Sequence, residues 1–208
     1  MVEHVLDLLS ARRCAGCDEP SAPAICAQCH RGLMPATPVH FGDIPVFSAS
    51  GYAPPLSLAI KRMKYNRRPD IAARLAEALM GVPGLPGALR ASCLVPVPLH
   101  PSRLQERGFN QSALLARELS RRVQVRVNHR LLRRVRTGPP QARCSGAARR
   151  ANILGAFAVQ PARRPARITL VDDVVTTGST ARECIETLRA AGHQVTAIVA
   201  VCCAPEPD

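Results

Sequence analysis

Two adjacent carboxylates, Asp172 and Asp173, followed at once by Val174, Val175, Thr176, Thr177, Gly178, Ser179 and Thr180, are the residues of this chain best suited to chemistry. Hydroxyls clustered around a glycine, where a strand gives way to a helix, leave backbone N–H groups without partners. They also aim the positive end of a helix dipole at one point, which suits a phosphate. The carboxylates cannot hold that anion themselves, because like charges repel, so they are placed for sugar hydroxyls or a magnesium ion beside it. Together these groups describe a ribose 5-phosphate site. A Walker A loop is excluded, since no Gly-Lys-Ser/Thr follows, and the Gly-x-Gly-x-x-Gly dinucleotide signature is absent. A plain helix cap would need one hydroxyl and no paired acids.

The elements that must position these residues can be read around them. Ile168, Leu170 and Val171, behind Arg167, form a short apolar run that predicts a buried strand ending at Asp172. Residues 181–191 predict a helix with Cys184, Ile185 and Leu188 on its apolar face and Gly192 at its C-terminal stop.

A second informative stretch runs from Pro96 to Gln111, on the exit of a predicted strand over 93–97. Its prolines set an extended path, Gly108 permits close backbone approach, and Asn110 is placed to cap a helix carrying Leu114, Leu115 and Leu119. Arg103 and Arg107, four apart, can face one anion from a single helical turn. In a doubly wound α/β sheet the loops leaving the carboxyl ends of strands line the ligand crevice, so this stretch and the Asp172 loop are expected to meet. Lys61 and Lys64 are the only lysines among 28 basic residues, and Lys64 in particular offers a compact ammonium to a phosphate.

Near the N-terminus, Cys14-x2-Cys17 and Cys26-x2-Cys29 supply four soft ligands in two knuckles, a spacing that predicts a closed tetrahedral structural zinc site. His30 is not needed as a ligand. Four upstream cysteines, Pro-Val-Pro-x4-Arg-x3-Arg-Gly-Phe-Asn-Gln in the middle and Val171-Asp-Asp-Val-Val-Thr-Thr-Gly-Ser-Thr180 downstream give three motifs in a fixed order. The last resembles the phosphoribosyl pyrophosphate (PRPP) loop of type I phosphoribosyltransferases. The three together resemble the ComF family of competence-associated, phosphoribosyltransferase-like proteins from about Cys14 to Val201.

The resemblance implies an α/β fold, a parallel sheet flanked by helices, with a small zinc-ribbon-like element ahead of it. It implies PRPP or a related phosphoribosyl nucleotide as ligand, Mg2+ accompanying it, and Asp172 and Asp173 as the catalytic acids. It also implies a loop that closes over the site through Thr137, Gln141, Arg149 and Asn152, with Cys144 where relatives carry an aliphatic residue. A link to competence and DNA uptake, with single-stranded DNA as a partner, follows from the same likeness.

Composition bounds these readings. With 208 residues, 47% of them hydrophobic, and no uncharged apolar run of ~18, the chain predicts one main core, a small appendage and no membrane insertion. Residues 1–13 carry acids at Glu3 and Asp7 and no leading base. They read as a short amphipathic helix through Val5, Leu6, Leu8 and Leu9, not a signal peptide, so a cytoplasmic, reducing compartment is expected.

The net charge of +13 is concentrated between Arg117 and Arg167, where fourteen arginines face one acid, Glu118. Such a segment attracts polyanions, either pyrophosphate-bearing nucleotides or nucleic acid. Aromatic residues make up only 3% and tryptophan is absent, which leaves little for a base-stacking platform.

The remaining expectations are structural. The domain boundary falls between 1–42 and 43–204, with a proline-rich linker over 35–45. Strands are predicted over 46–52, 123–127, 156–159 and 195–201, and helices over 56–63 and 70–80, the latter capped by Asp70. A loop is predicted over 81–87, and Cys202 and Cys203 follow the last strand.

Overall fold

A computed structural model describes residues 13–34, 36, 38–136, 154–162 and 164–204. The predicted closing-loop residues Thr137, Gln141, Cys144, Arg149 and Asn152, and the amphipathic stretch before Arg13, lie outside the described residues.

The described strands are β1 (Val39–Phe41), β2 (Ile44–Gly51), β3 (Cys93–Pro96), β4 (Leu132–Arg134), β5 (Phe157–Val159), β6 (Arg167–Val171), β7 (Val174–Val175) and β8 (Gln194–Cys203). The described helices are α1 (Ala27–Arg31), α2 (Leu56–Tyr65), α3 (Ile71–Met80), α4 (Leu85–Arg90), α5 (Pro101–Arg107), α6 (Gln111–Val123) and α7 (Ser179–Ala190).

Strand β8 is the hub of the sheet, whose order is β1-β2-β8-β6-β3, with β7 continuing beside β8 beyond the end of β6. Strands β2, β8, β6 and β3 are mutually parallel, and β1 closes one edge as an antiparallel hairpin with β2. A parallel sheet must be covered on both faces, and β8 accordingly is apolar almost throughout. Its pleat divides the core: Val199 and Val201 join one cluster, Ile198 and Ala200 the other.

Over the first face pack α2, α3, α4 and α6, through Leu56, Ile60, Met63, Leu75, Leu79, Leu89, Leu115 and Leu119. Over the second lies α7, through Cys184, Ile185 and Leu188, beside the antiparallel ribbon β4–β5.

Several local expectations are corrected. The supposed linker contains β1, because Gly42, at φ +63°, and Asp43 turn it into a hairpin. The predicted loop over 81–87 gives way to α4, whose Leu85 and Leu89 are fully buried and whose Pro86 sits in the first turn, where no N–H is required. The alternation over 123–127 does not form a strand. Leu115, Leu119 and Val123 recur every four residues, so α6 runs on to Val123, and only Val127 bridges Leu94. Asp70 precedes α3 without capping it, since its carboxylate receives Arg68 Nε and Nη2 at 2.8 and 2.7 Å. Cys202 and Cys203 lie inside β8.

Candidate functional site

Strands β2, β3 and β6 all release their chains at the same edge of the sheet, and a cleft of about 690 Å³ opens there. It is lined by both aspartates, by Val174, Val175, Thr176, Thr177, Gly178, Ser179 and Thr180, and by Lys64, Arg103 and Arg107. The two separated stretches of sequence therefore meet. Val97 N donates to Val171 O at 2.9 Å, Asn110 Nδ2 to Val97 O at 3.0 Å, and Ser112 Oγ to Asp172 Oδ1 at 2.9 Å. Asn110 also caps α6, accepting from Ser112 N at 2.9 Å.

The chain turns from β6 into α7 through the hydroxyl-rich stretch. Asp172 N donates to Val199 O, while Val201 N and Cys202 N donate to Asp173 O, so the chain stays fastened to β8 as it leaves β6. Val175 is buried in the second core cluster and also borders the cleft. Gly178 then takes φ +68° at the head of α7, with the Phe41 ring packed where a Cβ would stand. The Arg182 guanidinium covers that ring, 4.7 Å from its centroid. Thr177 and Ser179 share a hydroxyl hydrogen bond of 2.9 Å. Among the described residues no acceptor meets the amides of Thr177, Gly178, Ser179, Thr180 or Ala181. Five free donors at a helix N-terminus make a ready anion site.

The two aspartates differ. Asp173 is 4% exposed and ion-paired with Lys64, which α2 carries one residue before its end. Asp172 is half-buried, and its Oδ1 also accepts from Asp173 N at 2.8 Å. Burial, then the neighbouring Asp173 carboxylate, pushes the Asp172 carboxyl up to about 8. Between the ordinary carboxylate range and that value the folded chain holds a proton the unfolded chain has lost, so this group's contribution to stability falls as pH rises through that window.

Cations dominate the opposite wall. Arg103 pairs with Glu106 at 3.2 Å, and Arg107 donates to Gln111 Oε1 at 3.2 Å while lying 5.5 Å from the Tyr65 ring centroid. Reading the sequence misses Arg134, which enters the cleft from β4 with its guanidinium 5.6 Å from the Phe157 centroid. Nothing distinguishes it in a run of arginines. It also misses Ser112, Tyr52 and Tyr65; for the tyrosines a signal was present, since the chain has only two.

Away from the cleft, the sulfurs of Cys14, Cys17, Cys26 and Cys29 all lie within 4.8 Å of one another and can hold a metal ion. Cys17 Sγ and Cys26 Sγ are 3.7 Å apart, close to the ~3.8 Å edge of a tetrahedron with ~2.3 Å metal–sulfur bonds. Burial opposes ionisation of Cys14, but the amides of Cys26, Cys17 and Gly16 outweigh it and lower this thiol to about 6. The knuckles are docked on the main body. Arg62 of α2 donates to Gly16 O and Ala15 O, and Gly16 has no room for a Cβ between Pro55 and Cys29. Arg74 of α3 donates to the carbonyls of Ser21, Ala22 and Pro23.

No described helix is long and apolar enough to cross a membrane. No family model matches the chain. Among characterised proteins it is similar to DNA utilization protein YhgH of Salmonella typhi, 36% identical over 162 residues that make up 74% of this chain and 70% of that protein. The protein of the same name from Escherichia coli (strain K12) is 33% identical over 159 residues, 74% of this chain and 70% of that one. Competence protein F of Haemophilus influenzae is 34% identical over 150 residues, 68% of this chain and 65% of that one. Among solved structures, orotate phosphoribosyltransferase from Aeropyrum pernix shares 22% identity at a TM-score of 0.38, over 67% of this chain and 62% of that chain. With a third of the aligned residues identical across about two thirds or more of both chains, the protein belongs to the ComF family, with competence protein F and DNA utilization protein YhgH.

Proposed function

We propose that the cleft binds PRPP or a ribose 5-phosphate nucleotide and that the protein is a PRPP-dependent transferase. The observation that carries this reading is the group of five unpartnered amides from Thr177 to Ala181 beside an acid pair, with Arg103, Arg107 and Arg134 across the same cleft. The amides take the 5-phosphate, and the aspartates take the ribose hydroxyls. The arginines stabilise charge that develops on pyrophosphate as it departs from C1. Magnesium fits this scheme as the ion that neutralises pyrophosphate, with Asp172 as its protein ligand because Asp173 is engaged by Lys64.

Calorimetry with PRPP tests the reading. Binding is expected in the wild type and is expected to vanish in Asp172→Asn/Asp173→Asn; unchanged binding in that variant would exclude the assignment. If the ligand takes the ionised form of Asp172, affinity rises with pH up to about 8 and the measured enthalpy depends on the buffer, because a proton is released.

A second reading is supported by the names of the relatives and by the arginine-rich segment, namely that the protein handles single-stranded DNA in uptake or utilisation and uses the cleft to sense a nucleotide. Pyrophosphate release on addition of candidate acceptors favours the transferase. Oligonucleotide binding that weakens steeply with salt, without pyrophosphate release, favours the second.

We read the cysteine knuckles as a structural zinc element and, with the expected boundary at 42/43 moved ahead of β1 because Val39–Phe41 pair with β2, the remainder to Ala204 as the ligand-binding domain. Cys29→Ser, or chelation, is expected to remove one equivalent of metal and to lower the melting temperature, because the knuckles lose the ion that closes them. Metal analysis alongside a thermal melt checks this, and a metal-free chain with the wild-type melting temperature would refute it.

A further inference from the structure

The acceptor or base that accompanies the sugar phosphate has no motif in the sequence, but the cleft has an aromatic rim. The chain contains two tyrosines and no tryptophan, and both tyrosines line this cleft. Tyr52 is the first residue beyond β2 and is 43% exposed; Tyr65 ends α2 and is 66% exposed. A single exposed ring is ordinary on a protein surface, but here both of the chain's tyrosines stand at one opening.

Their position relative to the cradle sets the ligand. Tyr65 directly follows Lys64, which touches Asp173, so the ring stands one residue from the acid pair. Arg107 lies over the Tyr65 ring at 5.5 Å from the centroid and is itself held by Gln111, while the tyrosine stays 66% exposed. The next residue along α6, Ser112, holds Asp172. The unpartnered amides, the acid pair and both tyrosine rings thus line a single cleft, which offers partners for a phosphate, a sugar and a planar ring together.

We infer that Tyr65, with Tyr52, is a base-stacking rim, so that the cleft selects a nucleoside 5′-monophosphate, base included, over a bare sugar phosphate. This inference rests on the phosphate reading of the cleft. Stacking of a base on an aromatic side chain is worth ~1–3 kcal/mol, or roughly 5- to 150-fold in affinity.

The test compares AMP, CMP and ribose 5-phosphate by calorimetry. The wild type is expected to prefer both nucleotides over ribose 5-phosphate by a factor in that range. Tyr65→Ala is expected to abolish most of the preference while leaving ribose 5-phosphate affinity within about twofold, and Tyr65→Phe to retain it, because stacking needs the ring and not the hydroxyl. Tyr52→Ala is expected to reduce it further. With 3-fluorotyrosine incorporated, the chain gives two fluorine signals; the nucleotides are expected to shift that of Tyr65 and ribose 5-phosphate to leave it in place. Equal affinity of nucleotide and sugar phosphate in the wild type, or a preference that survives Tyr52→Ala/Tyr65→Ala, overturns the inference alone. Failure of all three ligands to bind overturns the phosphate reading and this inference together.

Discussion

Gly178→Ala is expected to destabilise the protein by roughly 2–4 kcal/mol and to abolish phosphate binding. A non-glycine residue at φ +68° costs about 1–2 kcal/mol, and here the added methyl also meets the Phe41 ring, which is itself packed beneath Arg182. Relief requires either the ring to shift, opening the β1 edge of the second core, or the turn to unwind, scattering the five amides that face the cleft. Urea denaturation and ribose 5-phosphate calorimetry read the two consequences separately. A double-mutant cycle isolates the steric part, because in a Phe41→Ala background the added methyl should cost only the backbone penalty. Additive losses would mean that the ring and the glycine are independent.

Lys64→Met carries the other large effect. It leaves the Asp173 carboxylate, 4% exposed, without its cation, and removing one partner of a buried pair typically costs ~3–5 kcal/mol; the partial exposure of Lys64 favours the lower end. Lys64→Met/Asp173→Asn should recover much of the stability at neutral pH, because the orphaned charge is then gone. Denaturation midpoints for the wild type, single and double variants at neutral pH decide the matter, and a double variant no more stable than Lys64→Met would show that Lys64 acts through packing alone.

Much of this arrangement could be read from residue order, for reasons that particular elements make clear. The β6–turn–α7 unit is local: apolar Ile168 to Val171, then acids, hydroxyls and glycine, then the Cys184, Ile185, Leu188 stripe, and each step follows from neighbours in the chain. Asn110 as a cap and the paired cysteines are equally short-range signals. What escaped depends on long-range pairing. Nothing near residues 39–41 says that they add an edge strand, because the partner in β2 supplies the reason. Val123 to Val127 fits two periods at once, and only the pocket that receives Val123 under α6 chooses the helical one. The ammonium of Lys64 rests on Asp173, 109 positions away by residue number, a contact that only the folded packing of α2 against β8 creates. Arg134 and the two tyrosines reach the cleft from three separate elements and share no spacing that could announce them.

The docking of the cysteine knuckles on α2 bears on how the protein behaves as a whole. Arg62 grips the knuckle backbone, and Lys64 and Tyr65, two and three residues further along the same helix, face the cleft. Whatever free energy of communication this rod transmits between the ion and the small molecule must be equal in both directions. An ion that steadies the rod tightens the grip on the small molecule, and a bound small molecule raises the affinity for the ion by the same factor. The knuckles are therefore a ballast whose loading could be weighed from the far end of the helix.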